Sequence, residues 1–287
     1  MDNPIKLISG HYSASVLPFG AELCSLKHEP SRTEFIWQAD KSIWPRHAPV
    51  LFPFVGRLKN FEYRYNTKTY SIEQHGFARD SLFTLVEQKE DCAVFELTDS
   101  AYTQTRYPFQ FSLRVCYYLF GNSLQMEFEI SNKGKDIMPV SFGAHPAFAI
   151  DQPEDAFLVF DKDLDPLSWQ LDANFISNRQ KSVTNGKGRI DVDGNTFKYD
   201  AIVLENLKSK WITLYSKSST KNVKVDVEGW PYLGIWAKAD AKFICIEPWF
   251  GIADSADFEG DVMEKKGVIH LPPYSNFKKG LKIEVHH

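Results

Sequence analysis

FSLRVCYYLF at 111–120, then GN at 121–122, then SLQMEFEIS at 123–131 is the stretch whose reading decides the fold class. In its first half Phe111, Leu113, Val115 and Tyr117 fall on one face of an extended chain. In its second half Leu124, Met126, Phe128 and Ile130 alternate with Gln125, Glu127 and Glu129. A period of two is the signature of a strand with one buried face, and Gly-Asn between two such runs is a tight-turn signal, so the stretch predicts an antiparallel hairpin. Outward from it, similar short runs recur at 11–18, 21–29, 81–88, 92–99, 211–216, 223–229, 232–238, 242–248 and 281–285. Aromatic residues make up 14% of the 287 residues, and together with β-branched residues they concentrate in these runs, as strands require. No segment sustains a 3.6-residue apolar period for three turns, although DSAYTQTRY at 99–107 suits a short helical crossover. The polar stretch 177–195 reads as a long surface excursion, and no linker or charge shift divides the chain, so residues 1–287 read as one domain. The expected architecture is all-β, a large antiparallel β-sandwich, and the absence of a fixed repeat argues against a propeller.

Composition narrows the functional classes. The net charge is −4, with 33 Lys and Arg against 37 Asp and Glu, which lacks the concentrated basic face that nucleic acid or an anionic membrane needs. Apolar and charged fractions of 43% and 24% are those of an ordinary globular protein. The opening MDNPIKLISG has no basic segment followed by an apolar run, and no apolar stretch approaches the ~20 residues of a membrane span, so a cytoplasmic location is expected. Cys24, Cys92, Cys116 and Cys245 are irregularly spaced within apolar runs and read as reduced core residues. The eight His residues form no HxH, HExxH or Cys/His cluster, so no metal centre is expected. Phosphate-cradling glycine loops and a GxSxG elbow are also missing, and no cofactor is expected.

Four segments carry candidate chemistry. HGFARD at 75–80 and GAHPAF at 143–148 each set a His beside Gly or Pro at the edge of a strand-like run, where an imidazole can face a cleft; each alone also fits a hydrogen-bonded structural His. KFICIEPWFG at 242–251 ends a strongly apolar run on Glu247, where burial would raise the pKa toward that of a general base; pairing with a nearby cation is the bland alternative. PVLFPFVGRLKN at 49–60 places Arg57 after Gly56, suited to hydroxyls, a carboxylate or a phosphate, or to a plain salt bridge.

In this order the four segments resemble the aldose 1-epimerase, or galactose mutarotase, superfamily, nearest to its LacX-like branch and to hexose-6-phosphate mutarotases. The resemblance runs from the opening strands through WQAD at 37–40 to IEPWFGIADS at 246–255, with YPF at 107–109 as weaker support. It implies a β supersandwich with an open carbohydrate cleft. It also implies that Glu247 is the base taking the anomeric hydroxyl proton and His145 the acid protonating the ring oxygen. His75 would donate a hydrogen bond to a sugar oxygen, and Arg57 would orient hydroxyls. Asp200 in KYDAIVLENL matches the family's hydroxyl-orienting Asp better than Asp193 or Asp226, and Trp249, Trp236 and Phe77 are candidates to face the sugar ring. HGF and HPA replace the corresponding segments of the better-known galactose enzymes, so galactose specificity does not carry over. Arg79 becomes a candidate phosphate ligand, or else pairs locally with Asp80. The expected activity is interconversion of the anomers of an aldohexose or hexose 6-phosphate. The partner is then a small-molecule sugar or sugar phosphate. A noncatalytic sugar-binding protein is the alternative, and a glycoside-processing enzyme would want a second opposed carboxylate.

Overall fold

The hairpin forms the middle of a nine-stranded antiparallel sheet in a computed structural model that describes residues 3–184 and 186–287. Phe111–Phe120 and Ser123–Asn132 pair from Phe111 opposite Asn132 to Phe120 opposite Ser123. Leu113, Val115, Tyr117, Leu124, Phe128 and Ile130 on the alternating face have no exposed surface. Cys92–Thr98 and Thr84–Gln88 extend the sheet on one side. Asn276–His286, Asn222–Asp226, Trp211–Ser216, Ala156–Phe160 and Arg189–Asp191 extend it on the other.

A second sheet of eight strands is ordered Phe175–Ser182, Leu167–Asp172, Ile202–Glu205, Tyr232–Trp236, Phe243–Phe250, Phe142–Ala144 and Val50–Leu51, with Ala147–Ala149 also paired to Phe243–Phe250. The two sheets face each other through aromatic contacts: the Phe128 and Phe142 rings are 5.2 Å apart and those of Phe52 and Phe111 are 5.0 Å apart. Each such ring contributes about 1.5–3 kcal/mol when withdrawn from water, and the contacts hold the sheets face to face. The fold is the expected all-β sandwich, and Ala101–Gln104 is the short helix foreseen in 99–107.

Phe243–Phe250 departs from simple alternation because both of its faces are covered. Ile244 and Ile246 point into the core between the sheets. Cys245, Glu247 and Trp249 point the opposite way, beneath loop residues that include Trp37, Ile43 and Trp44. A strand buried on both sides reads as a continuous apolar run, and the single carboxyl within it is exceptional.

The polar stretch 177–195 corrects one expectation. Residues 177–182 complete the edge strand Phe175–Ser182, and Arg189–Asp191 is the edge strand of the other sheet. Each is a terminal strand of its sheet, so polar side chains cost little and leave no alternating pattern to read. Asn185, within this stretch, lies outside the described residues, as do Met1 and Asp2. The four cysteines are free, with Cys92, Cys116 and Cys245 buried, but Cys24 is only half-buried. Its thiol donates to the Ser15 carbonyl at 3.3 Å, and burial pushes its pKa up to about 12. Among the described residues no helix is long and apolar enough to cross a membrane.

Candidate active site

Pro146 breaks what would be one strand into Phe142–Ala144 and Ala147–Ala149, and both pieces pair with Phe243–Phe250. Gly143 lies opposite Trp249 and Ala147 opposite Cys245, so the unbroken register puts position 145 opposite position 247. Here the sheet leaves its ladder, because Pro146 has no N–H to donate. The backbone N–H of His145 bonds instead to the Pro49 carbonyl at 3.0 Å. The imidazole therefore stands across from the Glu247 carboxyl, with His145 Nε2 3.2 Å from Glu247 Oε2.

Both side chains are nearly sealed from water, 10% exposed for His145 and 2% for Glu247. They are close without hydrogen-bonding alignment: Glu247 Oε2, His145 Nδ1 and Trp249 Nε1 are all buried with no hydrogen-bond partner. Burial, and then the Asp200 carboxylate, push the Glu247 pKa well above the ordinary carboxylate range, with Trp249 opposing. Burial also drives His145 down to about 3, opposed in part by its own backbone and reinforced by Arg79 and Arg46. Both shifts favour the neutral forms, a protonated carboxyl beside an uncharged imidazole. Unsatisfied polar atoms at the bottom of a cleft are expensive, and a ligand with hydroxyl groups would satisfy them.

The cleft above this pair has a volume of about 280 Å³, at the small end for small-molecule sites, and its lining includes Arg57, His75, Arg79, His145, Asp200, Trp236, Glu247 and Trp249 from among the sequence candidates. His75 has φ +68°, in the left-handed region that a non-glycine residue adopts at a cost of about 1–3 kcal/mol. The following Gly76, at φ +72°, lies so close to Phe52 that a Cβ would sit 2.1 Å from its carbonyl oxygen. The turn is thus held against the sheet. Nδ1 of His75 accepts the Gly56 N–H at 3.2 Å, which fixes the neutral tautomer with a proton on Nε2. Its ring lies 5.7 Å from that of His145, and burial followed by the charges of His145, Arg79 and Arg46 holds its pKa well below 6.5. Nε2–H is then a hydrogen-bond donor in reach of the cleft, provided that the Gln74 amide, whose nitrogen is placed 3.2 Å away, turns its oxygen toward it.

The walls differ in how their charges are engaged. The Arg57 guanidinium rests against the rings of Phe61 and Phe175, 4.6 and 5.2 Å from their centroids, and its Nε is unpartnered. Arg79 does make the local pair with Asp80, at 3.4 Å, and Asp80 is shared with Arg46 at 2.9 Å. Asp200 also has a left-handed backbone, φ +76°, and it is the member of its trio that reaches the cleft. Asp193 lines a different cavity, and Asp226 lies on the nine-stranded sheet. The Trp249 indole covers Gly234, where an added Cβ would meet its Cη2 and Cζ2 at 2.3 Å.

Phe77 does not face the cleft. It packs in the core against Phe52 and Phe111, because the turn that aims His75 outward sends Phe77 inward. Trp44 was not singled out, yet it stacks on the His145 ring at 5.2 Å and 28°, and Trp236 meets that ring edge-on at 6.0 Å. The signal available for Trp44 was WPRHAP at 44–49, a Pro-flanked aromatic beside Arg46.

Among the described residues one group has metal-ligand atoms close together: His145, Cys245 and Glu247, within 4.8 Å of one another. Burial, and then Glu247, push the Cys245 pKa well above 9, and the thiol is not among the residues lining the cleft.

Known proteins resemble this chain in sequence and in fold. The family model for aldose 1-epimerase matches residues 4–270. Protein LacX, chromosomal, of Lactococcus lactis subsp. lactis is 34% identical, covering 98% of this chain and 99% of its own. A solved galactose mutarotase related enzyme from Lactobacillus acidophilus superposes with a TM-score of 0.95 at 34% identity, covering 99% of this chain and 97% of its own. A galactose mutarotase-like protein from Lactobacillus casei gives 0.94 at 29%, covering 99% of this chain and all of its own.

Proposed function

This chain belongs to the aldose 1-epimerase family of isomerases, and from that membership we propose that it interconverts the α and β anomers of an aldohexose or hexose 6-phosphate. The observation that carries the proposal is the buried, misaligned His145–Glu247 pair at the cleft floor, 3.2 Å apart, with unsatisfied atoms on both members. We read residues 1–287 as one domain serving this cleft, since a single buried cluster runs from Leu7 to Val285.

Ring opening needs a base at the anomeric hydroxyl and an acid at the ring oxygen, and one pair sharing one proton supplies both. In the empty cleft the proton rests on Glu247. A bound sugar brings hydroxyl donors to that carboxyl, and Trp249 Nε1–H stands ready to add another, so the charged form gains partners and the proton moves to His145. Glu247 then takes the proton of the anomeric hydroxyl. The O–H electrons form the new carbonyl, the bond from the anomeric carbon to the ring oxygen breaks, and the ring oxygen takes the proton of His145. Rotation about the bond between the first two carbons and reversal of both transfers closes the other anomer. His75 Nε2–H donates to a sugar oxygen, Arg57 and Asp200 orient hydroxyls, and Trp249 faces the ring. Arg57, which makes no ion pair among the described residues, and Arg79 are the groups suited to a 6-phosphate.

Polarimetry of freshly dissolved α-D-glucose, α-D-galactose and glucose 6-phosphate tests the reading, with Glu247→Gln as the control. Acceleration that the substitution abolishes supports it, and a preference for the phosphate ester that falls in Arg57→Ala supports the phosphate role. Tight sugar binding with no acceleration would convert the assignment to a noncatalytic binding protein.

A further inference from the structure

Behind the cleft wall that carries Arg57 lies a second buried pair of opposite charges. Lys265 Nζ donates to Asp254 Oδ1 at 2.6 Å and to the Ile252 carbonyl at 2.8 Å, and the two side chains are 3% and 4% exposed. Neither residue lines the cleft. All the same, Asp254 touches both segments on which Arg57 depends. Its N–H donates to the Arg57 carbonyl at 3.0 Å, and its Oδ2 accepts the Lys59 N–H at 2.8 Å, so it clamps residues 57–59 at both ends. Its own carbonyl accepts the N–H of Ile176 at 2.9 Å, which fixes the start of the strand bearing Phe175. Phe175 and Phe61 are the rings against which the Arg57 guanidinium lies. Gly56, at φ +76°, is pressed so close to Ala253 that a Cβ would meet its N at 2.6 Å, which brings the two loops into direct contact beside the clamp.

We infer that the Asp254–Lys265 ion pair is a positioning device for Arg57, and hence for substrate affinity, without touching the substrate. The inference rests on the reading of Arg57 as a sugar-binding residue. A buried pair is an unusual choice if the only need were stability, because well-packed apolar or neutral residues of similar volume serve as well or better. The Asp254 carboxylate accepts from the Lys59 N–H and the Lys265 ammonium, which also donates to the Ile252 carbonyl, so the pair itself ties residues 59, 252 and 265 beside the backbone bonds of Asp254 to Arg57 and Ile176. It fixes the direction and separation of three backbone segments, to the roughly 0.5 Å that a working site demands.

The test uses the double variant Asp254→Leu/Lys265→Met, which removes both charges together with the acceptor of the Lys59 N–H and leaves no unpaired charge to unfold the chain. Mutarotation of the panel sugar turned over fastest by wild type is followed in four proteins: wild type, the double variant, Arg57→Ala and the triple variant. We expect KM to rise about tenfold in the double variant with kcat within about twofold, and no further rise when it is added to Arg57→Ala. An equal rise in the Arg57→Ala background, or a matching fall in kcat, would overturn the inference, since a merely structural pair would behave so. A crystal structure of the double variant gives a readout independent of any sugar: the guanidinium should leave the Phe61 and Phe175 rings, and its staying within about 0.5 Å would also overturn the inference. If Arg57→Ala alone leaves KM unchanged, the substrate role of Arg57 fails, and the crystallographic result still decides the positioning claim.

Discussion

His145–Glu247 and Lys265–Asp254 are both sealed acid–base pairs, with exposures of 10% and 2% in the first and 3% and 4% in the second, yet their surroundings differ in kind. Around Asp254 both carboxyl oxygens are met, and Lys265 reaches a carbonyl as well. Around Glu247 an oxygen, an imidazole nitrogen and an indole N–H are left over. The second pair is finished within the protein and holds loops together. The first leaves polar atoms without a partner in the protein beside the cleft, and its proposed role in proton transfer rests on that.

The difference is sharpest in Glu247→Gln. Mutarotation should fall by about 10²–10⁴, the ordinary worth of a positioned acid or base, while polarimetry and chemical denaturation together show the fold intact or more stable. The converse experiment is Lys265→Met, which strands a buried carboxylate and should cost about 3–5 kcal/mol by urea unfolding, most of it recovered by adding Asp254→Asn. Equal behaviour of the two single variants would erase the distinction between the pairs.

Acidity separates them next. The folded pKa of Glu247 is raised, so its contribution to stability is fully present below the unfolded value near 4.5 and is lost as pH rises toward the folded one. The folded pKa of His145 is lowered to about 3, so its contribution is present above 6.5 and is lost as pH falls from there toward 3. Thermal melts across pH 5–8 should show Glu247→Gln gaining on wild type as pH rises, and a flat difference would refute the raised pKa. Gly234→Ala should cost about 1–3 kcal/mol by displacing the Trp249 ring, with the activity loss exceeding the stability loss. The smallest effect belongs to Trp44→Leu, where loss of the face-on contact with His145 should amount to about 0.5–1.5 kcal/mol, read as a few-fold change in kcat/KM.

Sequence patterns revealed the frame of this molecule more readily than its cleft. Residues 111–131 alternate because one face meets the core and the other meets water, so the hairpin was legible from period alone. Residues 177–182 and 189–191 sit at sheet edges, where little burial enforces a pattern, and they read as loop. Glu247 stood out because a carboxyl in a doubly buried strand is costly. That His145 lies opposite it depends on a pairing register between segments a hundred residues apart, which no local pattern encodes. Phe77 follows His75 by two positions in an irregular turn, and its inward direction is set by the left-handed geometry of His75 and Gly76. Trp44 was hidden because an aromatic beside Pro reads equally well as loop packing, and its contact with His145 is long-range. The Asp254 clamp joins residues far apart in the chain, 57–59, 176 and 265, and leaves no local trace.

The broken strand 142–149 divides labour in a way that bears on how such a protein diversifies. His145, in the break between two strand pieces, and Glu247, on the strand that both pieces pair with, are held by a register in which adding or deleting one residue would turn every later side chain to the other face. Arg57, Arg79 and Asp200 sit on connecting loops, which tolerate changes of length and composition at small free-energy cost. Inheritance can therefore rewrite the mouth while the reaction stays fixed. A line of descendants would be expected to change its sugar many times before it ever changed its chemistry.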